Sequence, residues 1–292
     1  MRFEVFVNNK FSRLNRLSDV FGDYDGILSD IWGVVHNGVR ANKSAVDALV
    51  KYRQAGGIVI LITNASRTAP YIQKMLDGMG ISREAYDDIV TSGDVTREIV
   101  KTYSGQEIHH VGPSKDNPVF DGLGIKKGSP EKAKTVVVTG LDDDRETPDD
   151  YKDRLANWLE LGLPMICTNP DKIVEIGDEM VYCAGSLADI YQQMGGQVLQ
   201  AGKPYQPIYD ASFNAFKKAN GSDLADKKIL AIGDSVRTDA KGAANNKLDL
   251  LFITGSIHAH EIDNSDENEG ANVAKLVAPS GANMIGYQDM LK

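Results

Sequence analysis

Cysteine is scarce in this chain. Two residues in 292, Cys167 and Cys183, are neither closely paired nor set in a metal-type spacing. A disulfide framework is therefore not expected, and a reduced, intracellular protein is. Net positive charge is lacking as well: 32 Lys plus Arg stand against 41 Asp plus Glu, a formal charge of -9. That is poor footing for nucleic acid, whose phosphates demand basic surface, and for an anionic membrane. No apolar run of about 18 residues occurs, so no membrane span is expected. The opening residues, MRFEVFVNNKFSRLNRL, lack the apolar core of a secretory signal, and a cytoplasmic location is expected. Internal repeats and long low-complexity segments are absent too. What is there is ordinary for a globular protein: 42% hydrophobic and 25% charged residues. At roughly 150 residues per domain, the length suggests about two domains.

Short apolar runs recur: GILSDI, GIVILIT, KTVVVTG, PMICTN, KILAIG and LDLLFIT. Most are rich in Val and Ile, end in a small or polar residue, and read as buried strands. Helical patterns lie between several of them. NKSAVDALVKYRQAGG places Ala45, Leu49 and Tyr52 at helical spacing and stops at Gly56-Gly57. TAPYIQKMLDGMG has Pro70 near a first-turn position, and YQPIYDASFNAFKKANG repeats the pattern around Phe213 and Phe216. Strand alternating with helix predicts an α/β protein with a doubly wound parallel sheet. Such a sheet carries its site at the carboxyl ends of its strands. Asp30, Thr63, Lys203 (shortly after QVLQ) and Asp234 stand at such ends.

Asp30 and Asp234 close two apolar strands, and Asp239 follows in GDSVRTD. Carboxylates converging at one sheet edge repel unless a cation sits between them, and a few oxygen ligands suit Mg²⁺. Lys203 in AGKP is a compact cation able to balance the remaining charge. Thr63 in LITNAS offers a hydroxyl, with backbone N–H groups after it. Together these make a cradle for a phosphoryl group. A carboxylate beside that phosphorus is a nucleophile for an aspartyl-phosphate.

The order DIWG, LITN, GKP, GDSVRTD resembles the haloacid dehalogenase superfamily, and most of all its class IIA branch of nitrophenylphosphatase and nucleotide-phosphatase type. The resemblance runs from about residue 22 to the end. It implies Asp30 as nucleophile and Mg²⁺ ligand, and Trp32 as a ligand through its backbone carbonyl. It implies Thr63 and the Asn64 backbone amide on the phosphoryl oxygens, and Lys203 holding phosphate and nucleophile together. Asp234 becomes the second acidic ligand, and Asp239 either reaches the metal through water or orients Lys203. The 33 residues from Asp30 to Thr63 leave no room for an inserted domain, whereas the 140 from Thr63 to Lys203 do. The expected division is a core of residues 1–88 and 195–292 with an α/β cap of residues 89–194. The cap would close over the site and select a small phosphorylated metabolite. TNPD (168–171) and LDDDRET (141–147) are its candidates for substrate contact. Caps of this branch often meet in homodimers, so a homodimer is a family expectation.

Most phosphatases of this superfamily carry Asp two residues after the nucleophile, as general acid–base, and this chain has Trp32. Such a group is typically worth about 10²–10⁴ in rate. Three readings follow: substrates whose leaving group needs little protonation, or water or the substrate itself as the proton source; His36 as a replacement acid; or a weakly active protein that binds a phosphometabolite. Elsewhere the expectations are structural. The acidic stretch EIDNSDENEGAN fails the EF-hand pattern at Asn268 and Ala274. His258 and His260 lack a third zinc ligand nearby. His109 and His110 would face opposite ways on a strand. Cys167, Cys183 and Trp158 read as core.

Overall fold

In a computed structural model, residues 12–176, 179–221, 227–262 and 269–292 are described. The chain opens with β1 (Gly26–Asp30), α1 (Lys43–Gln54), β2 (Ile58–Thr63), α2 (Ala69–Gly78), β3 (Asp88–Thr91) and α3 (Ser92–Lys101). There follow β4 (Glu107–Val111), β5 (Lys126–Lys127), β6 (Val136–Val138), α4 (Lys152–Glu160), β7 (Met165–Cys167), β8 (Ile173–Ile176), β9 (Glu179–Tyr182), α5 (Ala184–Gln193) and β10 (Val198–Gln200). The last third contains α6 (Gln206–Asn220), β11 (Ile229–Gly233), α7 (Lys241–Asn245), β12 (Asp249–Ile253), α8 (Glu269–Val277) and β13 (Asn283–Gln288).

The first sheet has the order β13-β12-β11-β1-β2-β3, and all its neighbours pair in parallel. The chain winds outward from β1 in one direction and from β11 in the other. The reversal therefore falls between β1 and β11, where a parallel sheet opens its crevice. Successive residues of the central strands feed opposite cores: Ile27, Val59, Leu61, Leu230 and Leu251 pack on one face. Leu28, Ile60, Ile62, Leu250 and Phe252 pack on the other. This period of two, with both faces covered, is why these strands read as continuous apolar runs. The helices start and stop as their sequences dictate. Asn42 accepts from the Ala45 N–H at the head of α1, Pro70 occupies the first turn of α2, and Gly221 ends α6 in the left-handed region.

The second sheet, β10-β7-β6-β4-β5, is also parallel. Its core gathers Val136, Val138, Leu155, Trp158, Met165 and Cys167, so Trp158 and Cys167 are core residues as expected, and Cys183 is a buried free thiol. A small antiparallel hairpin, β8–β9, projects beside it. The sheets divide the chain slightly later than the expected boundaries. β3 straddles residue 88 as an edge strand of the first sheet. β10, placed by the sequence in the core, pairs with β7 in the cap. The pairing decides, because three apolar residues alone do not say which sheet takes them. No helix among the described residues is long and apolar enough to cross a membrane.

Candidate active site

Asp30 is the last residue of β1, beside Ile62 of β2, and Asp234 immediately follows β11. Asp239 sits in a single π-helical turn, Val236–Ala240, opened by Ser235, whose Oγ accepts from the Thr238 N–H. All three carboxyls are buried. One oxygen from each lies within 4.8 Å of the others, the one such group of possible ligands among the described residues. Lys203 is buried with them; its Nζ is 2.7 Å from Asp30 Oδ1 and 2.7 Å from Asp239 Oδ1. Thr63 closes β2 and is buried. The sequence-predicted residues therefore converge on one point at the switch of the sheet.

The electrostatics of this cluster ask for a cation. Burial pushes the Asp30 carboxyl well above the carboxylate range, and the charges of Asp239 and Asp234 add to it, against the pull of Lys203. Burial and Asp239 push Asp234 up to about 7. For Lys203, burial alone would lower the pKa, but Asp239, Asp30 and Asp171 more than offset it, so the ammonium stays charged. One ammonium does not balance three buried carboxylates. A hard divalent ion with oxygen ligands fits this donor set. The backbone makes room for it: Gly33 has φ +85, and a Cβ there would lie 2.0 Å from Asp234 Oδ2.

Two contacts lay beyond sequence reasoning. The Asn64 side chain clamps Lys203: its Oδ1 accepts from the Lys203 N–H at 2.6 Å, and its Nδ2 donates to the Lys203 carbonyl at 3.2 Å. The same Nδ2 donates to Asp171 Oδ1 at 3.0 Å. Asp171 belongs to TNPD in the cap, 107 residues away, and burial raises its pKa against the pull of Lys203 and Asn64. From the sequence, only the backbone amide of Asn64 is expected in the site. Gly202 of AGKP permits the clamp, since a Cβ there would lie 2.4 Å from Asn64 Oδ1.

The loop after β2 also carries the cap. Ser66 Oγ donates to the Thr139 carbonyl at 2.7 Å and lies 2.5 Å from Thr168 Oγ1. Ser92 Oγ donates to the Thr168 carbonyl, and Arg67 pairs with Asp116 at 3.2 Å. Of LDDDRET, Asp142 and Asp143 are spent on Arg154 and Arg145, while Leu141 and Asp144 face the space under the cap.

Trp32 packs edge-on to His36, ring centroids 5.1 Å apart. His36 is buried, and its Nδ1 accepts from the Gly38 N–H at 2.8 Å. A neutral ring accepting there carries its proton on Nε2. Burial pulls its pKa down to about 4, so near neutrality it is an uncharged ring and a poor source of protons. His258 is held by Glu261 at 2.6 Å and His260 is exposed, with no zinc-type group around them among the described residues. His109 and His110 bond in different directions, to the Gly128 carbonyl and Thr139 Oγ1. Residues 263–268 of the acidic stretch lie outside the described residues.

Comparison with known proteins gives concordant findings. Residues 27–126 match a family model described as haloacid dehalogenase-like hydrolase. Residues 200–279 match a second model of the same kind, and the intervening stretch, which holds most of the cap, lies outside both. The chain is 39% identical to a haloacid dehalogenase-like hydrolase of Brucella suis, with TM-score 0.84 over 95% of this chain and 99% of that one. It is 24% identical to the 5'-nucleotidase YutF of Bacillus subtilis, over 82% of this chain and 90% of the relative. A glycerol phosphate phosphatase of Mycobacterium tuberculosis in complex with magnesium shares 20% identity and TM-score 0.61, over 82% of this chain and 70% of that one.

Proposed function

The chain belongs to the haloacid dehalogenase-like hydrolases, and on that premise we propose that it is a phosphatase of small phosphomonoesters working through an aspartyl-phosphate on Asp30. One observation carries the reading. Asp30, Lys203, Asp234 and Asp239 are buried together where the sheet reverses, with more negative charge than Lys203 balances. The relatives named above for nucleotidase and phosphatase activity support it.

Asp30 Oδ attacks phosphorus as the ester P–O bond breaks, and the leaving oxygen keeps the electron pair. Water then attacks the aspartyl-phosphate, free phosphate carries away the water's oxygen, and the Asp30 carboxylate returns. Lys203 holds charge against both the nucleophile and the phosphoryl oxygens, and Asp239 fixes its ammonium. Thr63 Oγ and the N–H groups after β2 donate to those oxygens. Asn64 keeps the Lys203 backbone in place. Mg²⁺ would be held by Asp30, Asp234 and the Trp32 carbonyl, with Asp239 through water, and supplies charge neutralisation at the transferring group. The position that usually carries the proton donor for the leaving oxygen holds Trp32, and His36 beside it is buried and uncharged.

That substitution favours a second reading, a weakly active protein that binds a phosphometabolite in the same cradle. Phosphate release with Mg²⁺ from 4-nitrophenyl phosphate and from an alkyl sugar phosphate, with Asp30→Asn as control, separates the two. Turnover that vanishes in Asp30→Asn supports the phosphatase. Saturable binding of phosphorylated compounds without such turnover supports the binding protein.

A further inference from the structure

Asp189 stands on α5 of the cap, outside the cluster of buried acids. Its carboxylate joins two cations from different parts of the molecule. Oδ1 accepts from Arg237 Nη2 of the core at 2.8 Å. Oδ2 lies 2.5 Å from Lys172 Nζ of the cap. Arg237 and Lys172 are exposed and Asp189 is half-buried. Ion pairs this open to solvent add little to the stability of a fold. What sets this group apart is where its two cations lead.

Arg237 lies inside the π-helical turn Val236–Ala240. Such turns are rare and gather at functional sites. Two residues on, Asp239 Oδ1 holds the Lys203 ammonium, and Asp239 Oδ2 accepts from the Ser235 N–H at 3.1 Å. Lys172 follows Asp171, whose carboxylate accepts from the Asn64 amide that clamps the Lys203 backbone. The loop of Asp171 and the start of α5 are packed as one piece. Gly185 N–H donates to the Asp171 carbonyl at 3.2 Å, and a Cβ on Gly185 would run into the Pro170 carbonyl. These contacts close a ring. It runs from the Lys203 ammonium through Asp239 and the turn to Arg237, and crosses to Asp189 in the cap. It then passes through Lys172 and Asp171 and returns through Asn64 to the Lys203 backbone.

We propose that Asp189 is a positioning residue: by holding Arg237 and Lys172 together it fixes the turn and the loop between which Lys203 is set, so that Lys203 is placed for phosphoryl transfer only with the cap docked. The proposal rests on the phosphatase reading above. Asp189 touches no reacting atom and acts through its two cations. A cap that merely enclosed substrate would act on KM, and only for substrates large enough to reach it. A cap that sets Lys203 acts on kcat for every substrate, the smallest included.

The test is steady-state kinetics of the full chain with saturating Mg²⁺ on acetyl phosphate, a small substrate whose acetate leaves without an acid. Asp189→Asn keeps the side-chain shape and removes its charge. It is expected to lower kcat about fivefold and to leave KM within about twofold. Arg237→Gln, which opens the ring from the core side, is expected to cost the same, and the double variant no more than either, because the two residues act as a unit. Asp189→Glu is expected to recover most of the loss. Raising NaCl from about 0.05 M to about 0.5 M screens these pairs and is expected to bring the wild-type kcat toward that of Asp189→Asn; this arm needs no variant to fold. An unchanged kcat in Asp189→Asn, a loss confined to KM, or losses that multiply in the double variant overturn the proposal alone. Acetyl phosphate turnover that is absent from the wild type, or that survives in Asp30→Asn, overturns the phosphatase reading and this proposal with it.

Discussion

The carboxyl ends of β1, β2 and β11 in the first sheet carry Asp30, Thr63 and Asp234. The loops that follow β6 and β7 in the second sheet carry Thr139, Asp144, Thr168 and Asp171. Both sheets are parallel, and both meet at the loop after β2. Yet the first brings buried carboxyls whose charges are not balanced. The second brings hydroxyls that latch onto Ser66, acids matched by Lys115 and Asn64, and an apolar hairpin. Unbalanced buried charge is costly and is kept where a ligand completes it. A matched, apolar wall costs little and selects by shape and polarity. The same architecture thus divides chemistry from selection.

The largest effect is expected of Asp30→Asn, which should lower kcat on the order of 10⁴–10⁶-fold, the range seen when a nucleophile or its partner is removed. Radiolabelled phosphate trapped on the wild-type chain, and absent from the variant, would check the covalent step; equal labelling of both sinks the Asp30 assignment.

Trp32→Asp moves a proton donor into the wall. Turnover of an alkyl phosphate is expected to rise about 10²-fold. Because Trp32 packs on His36 and against Gly38, the variant's melting temperature should be recorded beside its rates. An unchanged alkyl rate in a folded variant would count against the missing-acid account.

Asn64→Ala cuts the tie between the two halves and loosens Lys203. Misplacement of this kind costs up to about 10²-fold. Asp171→Asn keeps one acceptor and is expected to cost much less. If both variants are equally impaired, Asp171 acts on substrate and not only through Asn64.

The smallest effect is on stability. Asp234 is raised to about 7 in the folded chain from an ordinary 3.8. Its protonation therefore stabilises the fold fully below about 3.8, and that stabilisation is lost as pH rises through about 7. With chelator present, the melting temperature is expected to fall between pH 6 and pH 8. Saturating Mg²⁺, which favours the ionised form, is expected to cancel the fall. A chelated protein equally stable at both pH values would mean that the cluster is not strained without a cation.

Most of the first sheet was legible because β1, β2, β11 and β12 are buried on both faces and read as apolar runs. β13, NMIGYQ, was not legible, since Gly286 and Gln288 interrupt its pattern and its neighbour β12 holds it. The β8–β9 hairpin leaves no apolar run in the sequence because its outer face is exposed, Met180 at 53% and Tyr182 at 40%. His36 looked like a spare acid in the sequence, and only its burial shows an uncharged ring.

The alternation of strand and helix, the residues at the strand ends and the space for a cap can be read from the sequence. Those depend on local periodicity and on spacing along the chain. Only packing shows that β10 joins the cap, that Asn64 holds Lys203 and Asp171 at once, and that Asp116 and Asp144 of the cap are matched by Arg67 and Lys115. Each of these is a contact between segments distant in sequence, set by which surfaces pack together and invisible to any local pattern.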